Sequence, residues 1–410
     1  MQVWNKEINI DKAVKIILFI LNPIFAVVYS FKTINTKSSY TVFFLFGIIF
    51  GLSFSVDNQK SEQNKFDGSA YREKFDRYLT YGEEIYYLRL NEYVNFSEGD
   101  KDFYFDTIAY FVSIYTDNYH FLFLIIATIF AFFALKSLRF LTSEPNFETS
   151  VSCFILTYIF MINQIFNING LRFWTAAWIG IYCLFQIYRN NNKKYFWLVL
   201  LTPFVHGAYW IFVIFLIISY LFKKINHNFL VFLFLVSFLI SNFSLDFIRS
   251  IMVYLPSFLT KTVEAYTNES YLSEIENKSS SFFLISKIFS YLVIIYINFL
   301  VWLFIKNSNL IINNKKTTRL YSFLLMWMIF VNFTMPVPSL GGRFILLSFP
   351  IISYIWLVNF YDIKYKIVLY LMPFIFLFSI YKQLILYTKV LEPVFYVSSP
   401  FYLIYKYLLS

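Results

Sequence analysis

The feature that most constrains this chain is the recurrence of apolar runs of roughly 17 to 25 residues, the length a helix needs to cross about 30 Å of hydrocarbon. The strands of a membrane barrel alternate apolar and polar residues over about ten positions, and these runs do not alternate. With 59% hydrophobic and only 14% charged residues, the chain holds more apolar surface than a soluble core absorbs. An all-α polytopic integral membrane protein is the fold class that follows. The 54 phenylalanines read as lipid-facing and packing side chains, with no separate functional meaning.

Windows of about 19 residues place spans near 13–30, 40–56, 118–141, 150–166, 172–189, 195–206, 208–222, 228–245, 281–306, 319–335, 343–361 and 366–383. That is about eleven to twelve transmembrane or re-entrant helices. The first run breaks at Asn22-Pro23 and has no small-residue cleavage site, so it reads as a retained helix and not as a signal peptide. Segment 195–206 is too short to cross alone and reads as one arm of a hairpin whose tip is His206-Gly207.

Charge sets the orientation. Loops 31–39, 136–149, 189–194, 223–228, 306–319 and 361–367 collect 15 Lys and Arg against 3 Asp and Glu, which assigns them to the cytoplasm. Arg189, Lys193, Lys194, Lys223 and Lys224 flank the short hairpin on that side. The long hydrophilic loops 57–103 and 246–280 are then external. The amino terminus is expected outside as well, although Lys6, Lys12 and Lys15 oppose that placement. A net charge of +10 distributed in this way belongs to membrane topology and not to nucleic-acid binding. Cys153 and Cys183 lie in apolar runs, with no disulfide framework or metal cluster in the pattern. No internal repeat appears, so 1–410 is read as one transmembrane domain.

Two arginines break the pattern. Arg172, in Asn167-Ile168-Asn169-Gly170-Leu171-Arg172, and Arg343, in Gly341-Gly342-Arg343-Phe344, both open spans at the external face. Arginine is depleted at external helix ends, and a cation there opposes the positive end of the helix dipole. An anionic ligand resolves both conflicts, because helix amino termini, arginine forks and closely approaching glycine backbone suit phosphate. Four of the ten glycines, Gly170, Gly207, Gly341 and Gly342, adjoin these arginines or His206. The competing reading is that each arginine snorkels or pairs with an acid of loop 57–103.

His206 suits a general base or a phosphate donor, with a packing histidine as the plain alternative. His120 and His227 carry no assignment. Loop 57–103 and its flank hold twelve acids between Asp57 and Asp106, among which Asp67 and Asp102 are the first candidates to activate a sugar hydroxyl. Tyr71, Tyr78, Tyr86 and Tyr87 are candidates to stack on sugar rings, against the ordinary reading of an interfacial aromatic belt. Segment 104–117 reads as a helix lying on the outer surface.

The order of these features resembles the O-antigen and exopolysaccharide repeat-unit polymerases, the Wzy-like and EpsG-type membrane proteins. It consists of an external Asp67-x-x-x-Tyr71 segment, Asn169-Gly170-x-Arg172 opening a middle span, a Lys-rich turn, a span ending at His206 and Gly341-Gly342-Arg343-Phe344 opening a late span. The resemblance implies a fold similar to the integral-membrane (GT-C-like) glycosyltransferases. It also implies polymerisation of polyprenyl-diphosphate-linked repeat units on the outer leaflet of a bacterial cytoplasmic membrane, during O-antigen, capsule or exopolysaccharide synthesis. Arg172 and Arg343, with Gly341, Gly342 and Asn169, would hold the diphosphate of an undecaprenyl carrier. His206, Asp67 or Asp102 would serve catalysis, and Tyr71 would contact sugar. Partners implied are the lipid-linked oligosaccharide, membrane lipids and a chain-length regulator, with no cofactor and no nucleic acid. Transfer of finished polymer to a lipid acceptor, flipping of the lipid-linked unit and acylation of an outer sugar are the alternatives.

Overall fold

The computed structural model describes the chain except residues 1–3, 5–6, 58–65, 96–101, 223–225, 338, 362 and 410, and all of 252–280 but 254, 260, 264, 267, 268 and 273. Lys6, Lys223, Lys224 and most of loop 246–280 therefore lie outside the described residues. Within them the chain is helical and contains no strand. Among the described residues, five stretches are long and apolar enough to cross a membrane: Tyr119–Thr142, Val151–Tyr188, Phe282–Lys306, Gly341–Asn359 and Tyr365–Val390. The protein is an all-helical, polytopic membrane protein.

The first apolar run is not a span. Helices α1 (Asn9–Leu21) and α2 (Pro23–Ser30) are split where Pro23 removes a backbone donor and the Asn22 side chain caps Ile24 N at 2.8 Å. The two arms then fold back on each other. Tyr29 donates to Asp11 at 2.7 Å, and the buried Lys15 ammonium donates to Thr36 at 3.1 Å and Ser38 at 2.9 Å. The segment from Glu7 therefore lies beside loop 31–39 and not on the opposite face, which corrects the expected placement of the amino terminus. At the hairpin tip, Asn22 donates to the Tyr396 carbonyl at 3.0 Å.

Helix α3 (Lys37–Leu52) packs along α6 (Tyr119–Thr142) through small residues. A Cβ on Gly47 would stand 2.8 Å from Ala131 Cβ, and one on Gly51 would stand 2.3 Å from Ala127 Cβ. This Gly-x-x-x-Gly seam lets two backbones approach where lipid supplies no hydrophobic drive for helix association.

Loop 57–103 is more ordered than its charge suggests. Its residues Asp67–Val94 form α4, which packs on α5 (Tyr104–Tyr115). Tyr71, Phe75 and Tyr78, at i, i+4 and i+7, make the buried face. Tyr78 donates to the buried Asp106 at 2.5 Å, and Tyr86 stacks on Tyr110 with centroids 4.2 Å apart. These two tyrosines are occupied by helix packing.

The stretch Val151–Tyr188 doubles back. Helix α7 (Val151–Phe160) and α8 (Leu171–Tyr188) are joined by the 3-10 turn Ile165–Gly170. Trp178 Nε1 donates to Asn163 O at 3.0 Å while Phe160 stacks on Trp178, so the arms run antiparallel. Next come two short helices, α9 (Tyr195–Val199) and α10 (Thr202–Val205), and then α11 (Tyr209–Leu221). His206 sits between α10 and α11, as the hairpin reading expected. Helices α12 (His227–Leu239), α13 (Ser244–Ile251), α14 (Ser281–Lys306), α15 (Ser308–Ile312), α16 (Thr318–Thr334), α17 (Gly341–Phe344), α18 (Ser348–Asn359), α19 (Ile363–Tyr370) and α20 (Met372–Val390) follow.

The basic loops gather at one end. Glu144, after α6, accepts from Arg189 at 2.5 Å, Lys316 at 2.7 Å and Tyr354 at 2.8 Å. Thr149 donates to Lys32 O at 3.2 Å, and Tyr361 donates to Glu148 at 3.4 Å. Five of the loops grouped by charge are thus in contact. Arg172 begins the helix that Arg189 follows, placing the two about 25 Å apart along its axis.

Candidate functional site

At the end of α8 remote from the basic loops lies a cavity of about 310 Å³ lined by Asp67, Ala70, Tyr71, Lys74, Gly170, Arg172, Phe173, Trp174, His206 and Arg343. Four separate parts of the chain supply it. Asp67, Ala70, Tyr71 and Lys74 recur at i, i+3, i+4 and i+7 on α4, one helical face. Arg172, Phe173 and Trp174 come from the first turn of α8, His206 from the α10–α11 junction, and Arg343 from the short turn α17.

Arg172 is held by two partners. Its Nη1 donates to Asp102 Oδ1 at 2.8 Å and its Nε to the Tyr71 hydroxyl at 3.0 Å. Asp102 is buried, 4% exposed, and its second oxygen accepts from Gly207 N at 3.4 Å. Phe103 N donates to Phe204 O at 3.0 Å, tying the same strip of chain to the His206 hairpin. The pairing anticipated for an arginine with an acid of loop 57–103 is therefore present at Arg172. Asp102 does not line the cavity. It orients the guanidinium and anchors the hairpin.

Tyr71 likewise serves Arg172. Its ring lies 4.9 Å from Phe105 between centroids, and its hydroxyl is spent on Nε. Burial raises its pKa against the opposing pull of Arg172. The hydroxyl is thus a neutral acceptor.

Arg343 is different. No carboxylate stands within ion-pair distance of it among the described residues. Its guanidinium carbon stands 5.9 Å from the centroid of the Phe173 ring. Asp67 similarly has no hydrogen-bond or ion-pair partner among the described residues. As the first residue of α4 it sits where the helix dipole favours an anion. His206 Nδ1 accepts from Ala208 N at 3.2 Å, so in the neutral ring the proton resides on Nε2.

The glycines divide. Asn169 Oδ1 accepts from Gly68 N at 2.9 Å, joining the start of α4 to the turn before α8. Gly341 is not among the lining residues. A Cβ there would stand 2.7 Å from both Met335 N and Met335 Cα, so packing against α16 accounts for the glycine. Gly342 has open space around its Cβ position and does not line the cavity either. Lys74 and Trp174 were not singled out from sequence. Reading 67–74 as helix would have put Lys74 on the face of Asp67, and Trp174 stands two residues after Arg172.

No curated protein and no solved structure matches the chain. The family model described as the EpsG family matches residues 40–398. That stretch includes every residue lining the cavity and leaves out the α1–α2 hairpin, and on this match the chain belongs to the EpsG family.

Proposed function

We propose that the protein is a glycosyltransferase that polymerises oligosaccharide repeat units carried on a polyprenyl diphosphate, working from the cavity at the outer face of a bacterial cytoplasmic membrane. The observation that carries this reading is Arg343, a cation without an acid partner in a cavity that already holds Arg172 and Lys74. Family membership supports a place in surface-polysaccharide synthesis. The basic loops at the opposite end support an outward-facing cavity.

In the proposed step a hydroxyl of the acceptor repeat unit attacks the anomeric carbon of the donor sugar. The bond from that carbon to the diphosphate oxygen breaks as the new glycosidic bond forms. The leaving diphosphate takes the electron pair, and its growing charge is met by Arg343, by the remaining N–H groups of Arg172 and by His206 Nε2–H. The acceptor proton passes to the Asp67 carboxylate. Asp67 suits this role better than Asp102, whose oxygens are engaged, or His206, whose Nδ1 lone pair is occupied.

The test is reconstitution in liposomes with lipid-diphosphate-linked repeat units. The expected products are polymer and one free polyprenyl diphosphate for each glycosidic bond formed. Transbilayer movement of the substrate with no glycosidic bond formed would instead identify a flippase and reject the reading.

A further inference from the structure

The cavity wall has three aromatic side chains, and two of them are already in use. Tyr71 is packed on Phe105 and bonded to Arg172. Phe173 is buried and meets Trp174, His206, Tyr209 and Phe344 edge-on or tilted. Trp174 is not consumed in this way. It is half-buried, its ring contact is one edge against Phe173 at 4.8 Å, and its Nε1–H has no hydrogen-bond partner among the described residues. Its backbone carbonyl accepts from Asn163 Nδ2 at 3.0 Å, which fixes the residue in place.

Trp174 also adjoins both charged groups that lack partners. It shares with Arg343 a small recess lined by Phe173, Trp178 and Pro350. A Cβ on Gly170 would be 3.0 Å from Trp174 Nε1 and Cδ1 and 3.8 Å from Asp67 Oδ2. The indole edge and the Asp67 carboxylate thus meet over the bare Cα of Gly170, where a methyl would press on the indole. We infer that Trp174 is the sugar platform of this site. The apolar face of the pyranose nearest the diphosphate stacks on the indole, a sugar hydroxyl accepts from Nε1–H, and the absence of a side chain at Gly170 lets the indole and the Asp67 carboxylate stand close enough to serve one sugar. This assignment rests on the reading proposed above and moves the sugar-contact role from Tyr71 to Trp174. An indole offers the flat apolar surface with a polar handle that a ring of C–H groups and hydroxyls requires.

Two probes separate this inference from its foundation: inorganic diphosphate, and the repeat-unit oligosaccharide released from the host's own lipid carrier by mild acid. Each is titrated by calorimetry into detergent-solubilised wild type, W174L, W174F, G170A and R343A. The expected result is that W174L weakens oligosaccharide binding about tenfold and leaves diphosphate binding intact, while W174F stays within about threefold of wild type for both. G170A weakens the oligosaccharide, and R343A weakens diphosphate. Oligosaccharide affinity unchanged in W174L overturns the platform while the diphosphate site stands. Equal loss of both probes in W174L also overturns it, because the indole would then maintain the cavity and not contact the sugar. Diphosphate affinity unchanged in R343A overturns the underlying reading.

Discussion

Arg172 and Arg343 face one cavity with different charge balance: Asp102 holds Arg172 at 2.8 Å, whereas Arg343 has no acid within ion-pair distance among the described residues. One arginine is built into the scaffold and the other remains available to a ligand. An arginine without a counter-ion is costly near a membrane, and the cost is offset when an anion arrives.

The Asp102 contact predicts a loss of both stability and activity in D102N. Asp102 is buried, so the neutral amide weakens a charge-assisted pair worth about 2 kcal/mol and loosens the His206 hairpin. Detergent melting curves should shift downward and polymer synthesis should fall. An unchanged melting temperature would remove the positioning role.

Tyr71→Phe isolates the hydroxyl. The ring contact with Phe105 survives and only the bond to Arg172 Nε is lost. Stability should change by less than about 1 kcal/mol, while turnover falls about tenfold as Arg172 gains freedom. A KM effect with unchanged kcat would instead return Tyr71 to a direct substrate contact.

Gly341→Ala and Gly342→Ala should part company. The first forces a methyl against the Met335 backbone and costs about 1–3 kcal/mol by overpacking. The second meets open space. Expression and melting temperature of the pair decide between packing and ligand contact as the reason for the glycines. If G342A is the more damaging of the two, the packing account fails.

Much of this site was legible in the chain before its structure. Arg172 and Arg343 stood out because each violated a rule for membrane helices, His206 because it stood at the tip of a hairpin, and all three line one cavity. The pairing of Arg172 with Asp102 joins segments 70 residues apart in sequence, and no local pattern reports such a contact. Helix α4 was hidden by its charge: twelve acids drew attention to a solvated loop, although Tyr71, Phe75 and Tyr78 already marked a buried helical stripe. The first apolar run was long enough to span, yet Asn22-Pro23 turns it into a hairpin. A hydropathy window sums residues and does not register the break.

That hairpin gives a topological prediction. Lys12→Cys and Lys37→Cys lie on exposed positions at the basic end, and Asp117→Cys at the cavity end. The native cysteines are buried. A membrane-impermeant maleimide should label positions 12 and 37 from the same side and position 117 from the other. Labelling of 12 and 117 together from one side would restore a first run that spans.

Glu144 links the basic loops through a pH-dependent contact. Burial tends to raise its pKa, but hydrogen bonds from Lys316, Arg189 and Tyr354 outweigh burial and hold the carboxyl below its usual range. Since the folded value is the lower one, its stabilisation is complete above the unfolded pKa of about 4.3 and disappears as pH falls through the folded value. Wild type should therefore lose melting temperature on acidification in that window more steeply than E144Q. Parallel pH profiles would show that the carboxylate contributes nothing there.

The central claim is that Arg343 meets the diphosphate of a lipid-linked donor. The most direct measurement is the polymer ladder made in cells carrying R343A as their sole copy, at matched protein level in the membrane. Single repeat units in place of the ladder, with partial recovery in R343K, are the expected outcome. A full-length ladder from R343A contradicts the account.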